Sequence, residues 1–246
     1  MNQTDAGSKK SAIVFGGSRG IGSAIVRRLA KDGAAIAFTY ASSASQAAEG
    51  AAAIEAAGGT AIAIKADSAN IDEIEAAVEQ TSEQFGHLDI AVINAGILML
   101  GDVSEVSPAD FDRMIAVNVR GVFFAIQAAA RRMREGGRIV TIGSNVAVRS
   151  GFPGSSVYSL TKAAVATMVK GVAVDLAPRK ITINNVQPGP IVTDMTSAHL
   201  EQIVPLIPLH RAGDVDEIAA LVSFLANGEA AYMTGASVTI DGGLSL

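Results

Sequence analysis

Ala12-Ile13-Val14-Phe15-Gly16-Gly17-Ser18-Arg19-Gly20-Ile21-Gly22 is the stretch that decides the fold. The apolar, β-branched run Ala12–Phe15 reads as a strand, and it passes straight into a glycine cluster from which a helix, Ile21–Lys31, departs. Glycines permit the tight turn and let a ligand approach the backbone. A helix starting there offers unpaired N–H groups and the positive end of its dipole, so a pyrophosphate suits the place. Alone, a glycine cluster is a weak signal. Between the first strand and first helix of a strand–helix alternation it is a moderately strong one.

That alternation continues along the chain. Strands are expected at Ala12–Phe15, Ala35–Thr39, Ala61–Lys65, Ile90–Asn94, Arg138–Gly143, Thr182–Gln187 and Ser237–Ile240. Helices are expected at Ile21–Lys31, Ser45–Ala57, Ile71–Phe85, as a pair within Pro108–Arg134, at Val157–Leu176 and at Val215–Leu225. Most strands are near-continuous apolar runs rather than alternations, as in strands buried on both faces of a parallel sheet. The pattern is that of an α/β, doubly wound fold with helices on both faces. No linker, charge block or repeat divides the chain, so a single domain is expected over residues 10–246, after a flexible tail at 1–9. The least regular stretch, Pro188 to Gly213, has prolines at 188, 190, 205 and 208. It follows a strand's carboxyl end, where a lid over a pocket is favoured over a plain surface loop.

Composition narrows the function. The 246 residues are 49% hydrophobic and contain no cysteine, which excludes disulfide scaffolds, thiolate metal sites and cysteine nucleophiles. No His/Asp/Glu cluster has metal-ligand spacing, so no metal is expected. The formal charge of −5, without a basic block, argues against nucleic-acid binding. The polar start of the chain lacks a signal core, and no apolar run is long enough to span a bilayer, which leads to the expectation of a cytoplasmic protein without a membrane partner.

The end of the second strand reports on the dinucleotide. An acidic residue there, about 20 residues beyond the glycines, would accept a ribose hydroxyl and repel a 2′-phosphate. This chain has Thr39-Tyr40-Ala41-Ser42-Ser43, and its next acid, Glu49, lies inside the following helix. Arg19 can pair with a 2′-phosphate and Ser42 or Ser43 can hydrogen-bond it, so NADP(H) is preferred.

A second motif carries chemistry. Tyr158-Ser159-Leu160-Thr161-Lys162 sets a phenol and an ammonium four residues apart at the start of a helix, on one face. A lysine beside a phenol favours the phenolate and brings the tyrosine nearer to acid–base use at neutral pH. Ser144 stands fourteen positions before Tyr158, at the end of an apolar run, where its hydroxyl can hold a carbonyl oxygen. Its context is not that of a hydrolase nucleophile.

With the glycine loop, Ser144, Tyr158 and Lys162, the chain resembles the short-chain dehydrogenase/reductase family from Lys10 to Leu246. Further matching segments are Asn94-Ala95-Gly96, Asn118, Pro188-Gly189 with Thr193, and Val238-Thr239-Ile240-Asp241-Gly242-Gly243. The look is nearest to the 3-oxoacyl-carrier-protein-reductase-like members. The resemblance implies a Rossmann-type sheet of seven parallel strands and a homo-oligomer, tetramer favoured over dimer. It implies a small carbonyl or alcohol substrate, with Tyr158 as proton donor and Ser144 polarising the carbonyl. Lys162 would hold the nicotinamide ribose and lower the Tyr158 pKa, and Asn118 would support a water that relays protons to Lys162. Gly16, Ser18, Arg19, Gly20, Ile21, Gly22, Tyr40, Ser42 and Ser43 belong to the implied cofactor site. So do Asp67 and Ser68 near the adenine, Asn94, Ala95 and Gly96 along the cofactor, and Pro188, Gly189, Ile191 and Thr193 at the nicotinamide end.

The chain also departs from that pattern. Phe15 stands where the family commonly has a threonine that braces the glycine loop, so bracing must come from elsewhere. The gap from Ser144 to Tyr158 is one longer than is frequent. Asp67 suits an adenine contact and a cap for the helix near Asn70 equally well. Asn118 is a poor helix former inside a helical run, which hints at function or a bend. His87 reads as a turn residue, and His199 and His210 as surface residues. The apolar helix after Tyr158 is either internal or part of a subunit interface. Two other functions stay open on the same fold: a regulatory protein that sequesters a cyclic dinucleotide, and a 3-oxoacyl thioester reductase.

Overall fold

In a computed structural model the described residues are 9–194, 196–197 and 200–246. The expected tail, apart from Lys9, and His199 lie outside them. Seven parallel strands form one sheet: β1 (Ser11–Phe15), β2 (Ala35–Tyr40), β3 (Thr60–Lys65), β4 (Leu88–Ile93), β5 (Met133–Ile142), β6 (Thr182–Pro188) and β7 (Ser237–Ile240), in spatial order β3-β2-β1-β4-β5-β6-β7. Order reverses between β1 and β4, and a crevice opens at their carboxyl ends.

Both faces are buried, as the apolar strand runs require. Ala12 and Val14 of β1 face the cluster covered by α1 (Gly20–Lys31), α2 (Ala44–Ala56) and α8 (Val215–Leu225). Ile13 and Phe15 face the opposite cluster, covered by α3 (Ile71–Phe85), α5 (Val122–Arg132) and α6 (Ser156–Leu176). Burying one such aliphatic side chain stabilises a fold by about 1.5–3 kcal/mol, so alternate residues of one strand anchor both layers. Local signals set the ends. Asn70 caps α3 and Gly86 ends it in the left-handed region, at φ 78°. At α8 Asp214 and Glu217 form a capping box.

Three elements differ from expectation. The pair expected within Pro108–Arg134 is one continuous rod, with α4 (Pro108–Ile115) joined to α5 by a π-helical turn at Ala116–Gly121. The turn's closing residue has no room for a side chain, since a Cβ on Gly121 would lie 1.9 Å from the Ser68 carbonyl oxygen. Strand β5 starts at Met133, earlier than expected, because Gly136 at φ 80° lets the chain bulge before pairing resumes at Arg138. The stretch after Pro188 holds a short helix, α7 (Leu200–Ile203), hidden from sequence by its prolines.

Two helical stretches, Pro108–Arg132 and Ser156–Arg179, are long and apolar enough by composition to cross a membrane, contrary to the sequence expectation. They exceed any single apolar run because alanine and glycine extend the low-polarity stretch. Both are layers of this domain: α5 packs with α3 and α6 with β6.

Candidate active site

The glycine loop forms a cradle. The Gly16 N–H donates to the Thr39 hydroxyl at 3.0 Å, and the Gly17 N–H donates to the Thr39 carbonyl at 2.9 Å. The Asn94 side chain donates to the Gly16 carbonyl at 2.7 Å. Thr39 and Asn94 are therefore the brace that Phe15 does not supply. Thr39 went unrecognised in sequence because it serves a loop 23 residues away. A Cβ on Gly22 would sit 2.0 Å from the Gly16 carbonyl oxygen, so only glycine lets α1 start this close to the loop. Arg19, extended and exposed, precedes α1, whose first turn has neither a side-chain cap nor an acid. Its free N–H groups thus remain available to an anion.

Beside the cradle, Tyr40 is half-buried, Ser42 is exposed, and Ser43 precedes α2 without capping it through its side chain. Ala95 lines the opposite wall, its Cα 2.9 Å from where a Gly16 Cβ would lie. The segment after Pro188 returns to the glycine loop, with the Thr193 methyl 3.6 Å from a Cβ built on Gly20. The Thr193 hydroxyl pairs with that of Thr196 at 3.1 Å. Ile191 is buried and bridges to Gly213, closing that segment's base. His210 is exposed and His87 pairs with Asp89 outside this crevice.

Asp67 does not cap α3; Asn70 does. Asp67 accepts from the Ala69 N–H and from exposed Arg113, because it lies one turn too early to reach the first helical amides. Of its two expected roles, only a place at the adenine end stands open. Ser68 sends its main-chain carbonyl against Gly121 and so seats the π-turn.

Ser144, Tyr158 and Lys162 converge where β5 ends and α6 begins. The Ser144 hydroxyl lies beside the Tyr158 hydroxyl and favours its ionised form, and Ser144 Oγ accepts from the Val146 N–H at 3.3 Å. Lys162 is buried, with Nζ 5.6 Å from the centre of the Tyr158 ring, and it donates to the Ile142 carbonyl at 3.1 Å. The longer Ser-to-Tyr gap therefore does not displace the serine; a short 3-10 turn, Asn145–Ala147, takes up the length.

The expected acid shift of Tyr158 is corrected here. Burial pushes the phenol up to about 12, against the pull of the Ser144 hydrogen bond. Burial also brings Lys162 down to about 8. Desolvation dominates both shifts because each group is buried, and burial disfavours the charged form of each. A protonated phenol is the form that donates a proton.

Asn118 lies in the π-turn, so its poor helix propensity marks a bend in the rod. Its side chain donates to the Ile97 carbonyl at 2.8 Å and to Thr161 at 3.2 Å, and accepts from the Ile97 N–H at 2.9 Å. A Cβ on Gly96 would lie 3.4 Å from both Asn118 Oδ1 and Lys162 Nζ. The amide thus fixes the loop after β4, and Gly96 keeps the space between asparagine and lysine clear.

The comparisons with known proteins agree with this geometry. Residues 16–245 match the family described as Enoyl-(Acyl carrier protein) reductase. A short-chain dehydrogenase/reductase from Serratia marcescens BCRC 10948 superposes with a TM-score of 0.95 at 52% identity, over 97% of this chain and 99% of that one. The chain is a short-chain dehydrogenase/reductase. A family member from Burkholderia cenocepacia J2315, solved in complex with NADP, has a TM-score of 0.95 at 46% identity, covering 97% and 99% of the two chains. Versicolorin reductase stcU of Emericella nidulans is 40% identical over 95% of each chain. The cyclic-di-GMP-binding biofilm dispersal mediator protein of Escherichia coli K12 is 42% identical over 95% of this chain and 96% of its own. This short-chain dehydrogenase/reductase is accordingly an oxidoreductase, and its uncapped helix start and side-chain-free cradle fit a nicotinamide dinucleotide.

Proposed function

We propose that the protein reduces a ketone to a secondary alcohol with NADPH. The observation that carries the reading is the convergence of Ser144, Tyr158 and a buried Lys162 beside a glycine-lined cradle. Gly16 to Gly22 would hold the pyrophosphate, Arg19 with Ser42 or Ser43 the 2′-phosphate, and Gly96, Pro188 to Ile191 and Thr193 the nicotinamide end. When bound, the cofactor supplies the hydride to the carbonyl carbon. Ser144 donates a hydrogen bond to the carbonyl oxygen and orients it toward Tyr158. Tyr158 gives its proton to that oxygen as negative charge develops there, and the Lys162 ammonium stabilises the phenolate left behind. The reverse oxidation runs through the same groups with Tyr158 as base.

The loops leaving the strand ends carry exposed Leu100, Val148, Phe152, Leu206 and Leu209, which supports an apolar ketone. Exposed Leu160 and Val174 on α6 and Phe123 on α5 support assembly into a homo-oligomer, a tetramer ahead of a dimer, which light scattering distinguishes.

The test is NADPH consumption by the purified protein against aryl ketones, small diketones, ketoesters and a 3-oxoacyl thioester, with NADH in parallel. Turnover of a ketone with NADPH is expected. Turnover of the thioester alone would move the substrate class to acyl chains. The similarity to the cyclic-di-GMP-binding relative favours one second reading, a protein that sequesters a cyclic dinucleotide. Tight binding of that ligand with no turnover across the panel would replace the reductase reading.

A further inference from the structure

We infer that Asp241 is a positioning residue for this reaction, holding the Ser144 turn and the nicotinamide-side loop at a set separation through Asn145 and Gly189; the inference rests on the reductase reading. Ser144 caps a single 3-10 turn just past the end of β5. The residue after it, buried Asn145, reaches across 96 positions to donate its Nδ2 to Asp241 Oδ2 at 3.2 Å.

The same carboxylate accepts three further hydrogen bonds. Oδ1 accepts from the Gly243 N–H at 3.0 Å, and Oδ2 accepts from the Ser245 N–H at 2.9 Å and from the Ser245 hydroxyl. On its other side Asp241 backs the loop after β6. A Cβ on Gly189 would lie 2.5 Å from Asp241 Cβ, and the Gly189 N–H donates to the Ile240 carbonyl at 2.9 Å. The next residue, Gly242 at φ 65°, presses on the segment after Pro188, with Ile207 2.7 Å from where its Cβ would be. Asp241 thus ties the Ser144 loop to the C-terminal residues through its carboxylate, while its Cβ and backbone back the loop at the nicotinamide end.

An ionised carboxylate is an acceptor only, which suits four converging donors. Burial pushes Asp241 up, but the hydrogen bonds prevail and hold it below the usual carboxylate range. Arg149, on the Ser144 side, donates to the carbonyls of Leu244 and Leu246, a second tie between that loop and the C-terminal residues.

The experiment compares wild type with Asp241→Asn, Asn145→Ala, the double variant Asn145→Ala/Asp241→Asn and the exchange Asn145→Asp/Asp241→Asn, reading kcat, KM, NADPH affinity from bound-cofactor fluorescence, and Tm. In Asp241→Asn an amide N–H₂ meets either the Asn145 amide or a backbone N–H, so kcat should fall about tenfold. Asn145→Ala should fall similarly, and the effects should not add in the double variant. The exchange restores one hydrogen bond between 145 and 241 but not the Ser245 bonds. It should therefore recover most of the lost kcat while Tm stays low.

A lower Tm with unchanged kcat in Asp241→Asn, or additive losses, would overturn the inference and leave Asp241 a plain anchor for the C-terminal residues. Those outcomes require a wild type that turns over. A silent wild type overturns the reductase reading, and with it this role.

Discussion

Strands β1 and β6 are both buried in the same parallel sheet, yet they are built from different residues. From Ala12 to Phe15, β1 is apolar and packs on both layers. Strand β6 reads Thr182-Ile183-Asn184-Asn185-Val186-Gln187 and is equally buried. Its amide side chains are paired: Asn185 accepts from Thr141 at 2.9 Å and donates to Ser237 at 3.3 Å, and Gln187 accepts from Thr239 at 3.1 Å. Asn184 donates to the Met233 carbonyl at 2.8 Å. In the cofactor half, backbone N–H groups and glycines form the site on an apolar platform. In the half bearing Ser144, side chains pair between strands. The first arrangement tolerates varied apolar packing, whereas the second depends on each hydrogen bond, since an unpaired buried polar group costs about 1–3 kcal/mol.

The contrast can be broken at four points. The largest effect is expected at Tyr158→Phe, which removes the proposed proton donor. Turnover should fall by about 10²–10⁴, while NADPH affinity measured by fluorescence stays within a few-fold. Comparable loss of both would mean that the two halves are not separable.

Next comes pH. Lys162, lowered by burial to about 8, is charged below that value and loses its proton as pH rises through it. Tyr158, raised to about 12, stays protonated throughout. Ketone reduction should therefore be level below pH 8 and decline about tenfold per unit above it. A profile flat to pH 10 would remove the lysine charge from the mechanism.

Third, Arg19→Ala should cut the preference for NADPH over NADH about tenfold or more, the size of one charge-assisted hydrogen bond, without changing kcat at saturating cofactor. An unaltered preference would place the 2′-phosphate recognition elsewhere. The smallest effect is expected at Thr39→Val, which leaves the Gly16 N–H unpaired. NADPH should bind several-fold more weakly, for a cost of about 1 kcal/mol, with the ketone KM unchanged. A change in ketone KM would show that the glycine loop and the substrate pocket are coupled.

The elements most legible in sequence were those with local causes. Strand β7 falls at Ser237–Ile240, α3 at Ile71–Phe85 and α8 at Val215–Leu225, as periodicity and caps require. The glycine loop and the Tyr158/Lys162 pair were legible for the same reason, since one helix turn or one tight bend brings their parts together. Less legible was anything that joins distant residues. The polar run in β6 is visible in sequence as Asn184, Asn185 and Gln187 within an apolar strand, but its partners 44, 49 and 52 residues away are not. The π-turn at Asn118 depends on the Ser68 carbonyl pressed against Gly121, a contact no local propensity encodes.

Sequence by itself determined the parallel doubly wound sheet, the glycine loop between its first strand and first helix, and the Tyr158/Lys162 pair on one helix face, because each rests on local pattern and short spacing. Only the tertiary structure decided that Thr39 braces the loop and that Asn70, not Asp67, caps α3. It also decided that burial, not the neighbouring ammonium, sets the protonation of Tyr158. Desolvation and cross-strand hydrogen bonding depend on what the folded chain packs around a group, and that is absent from the spacing of residues along it.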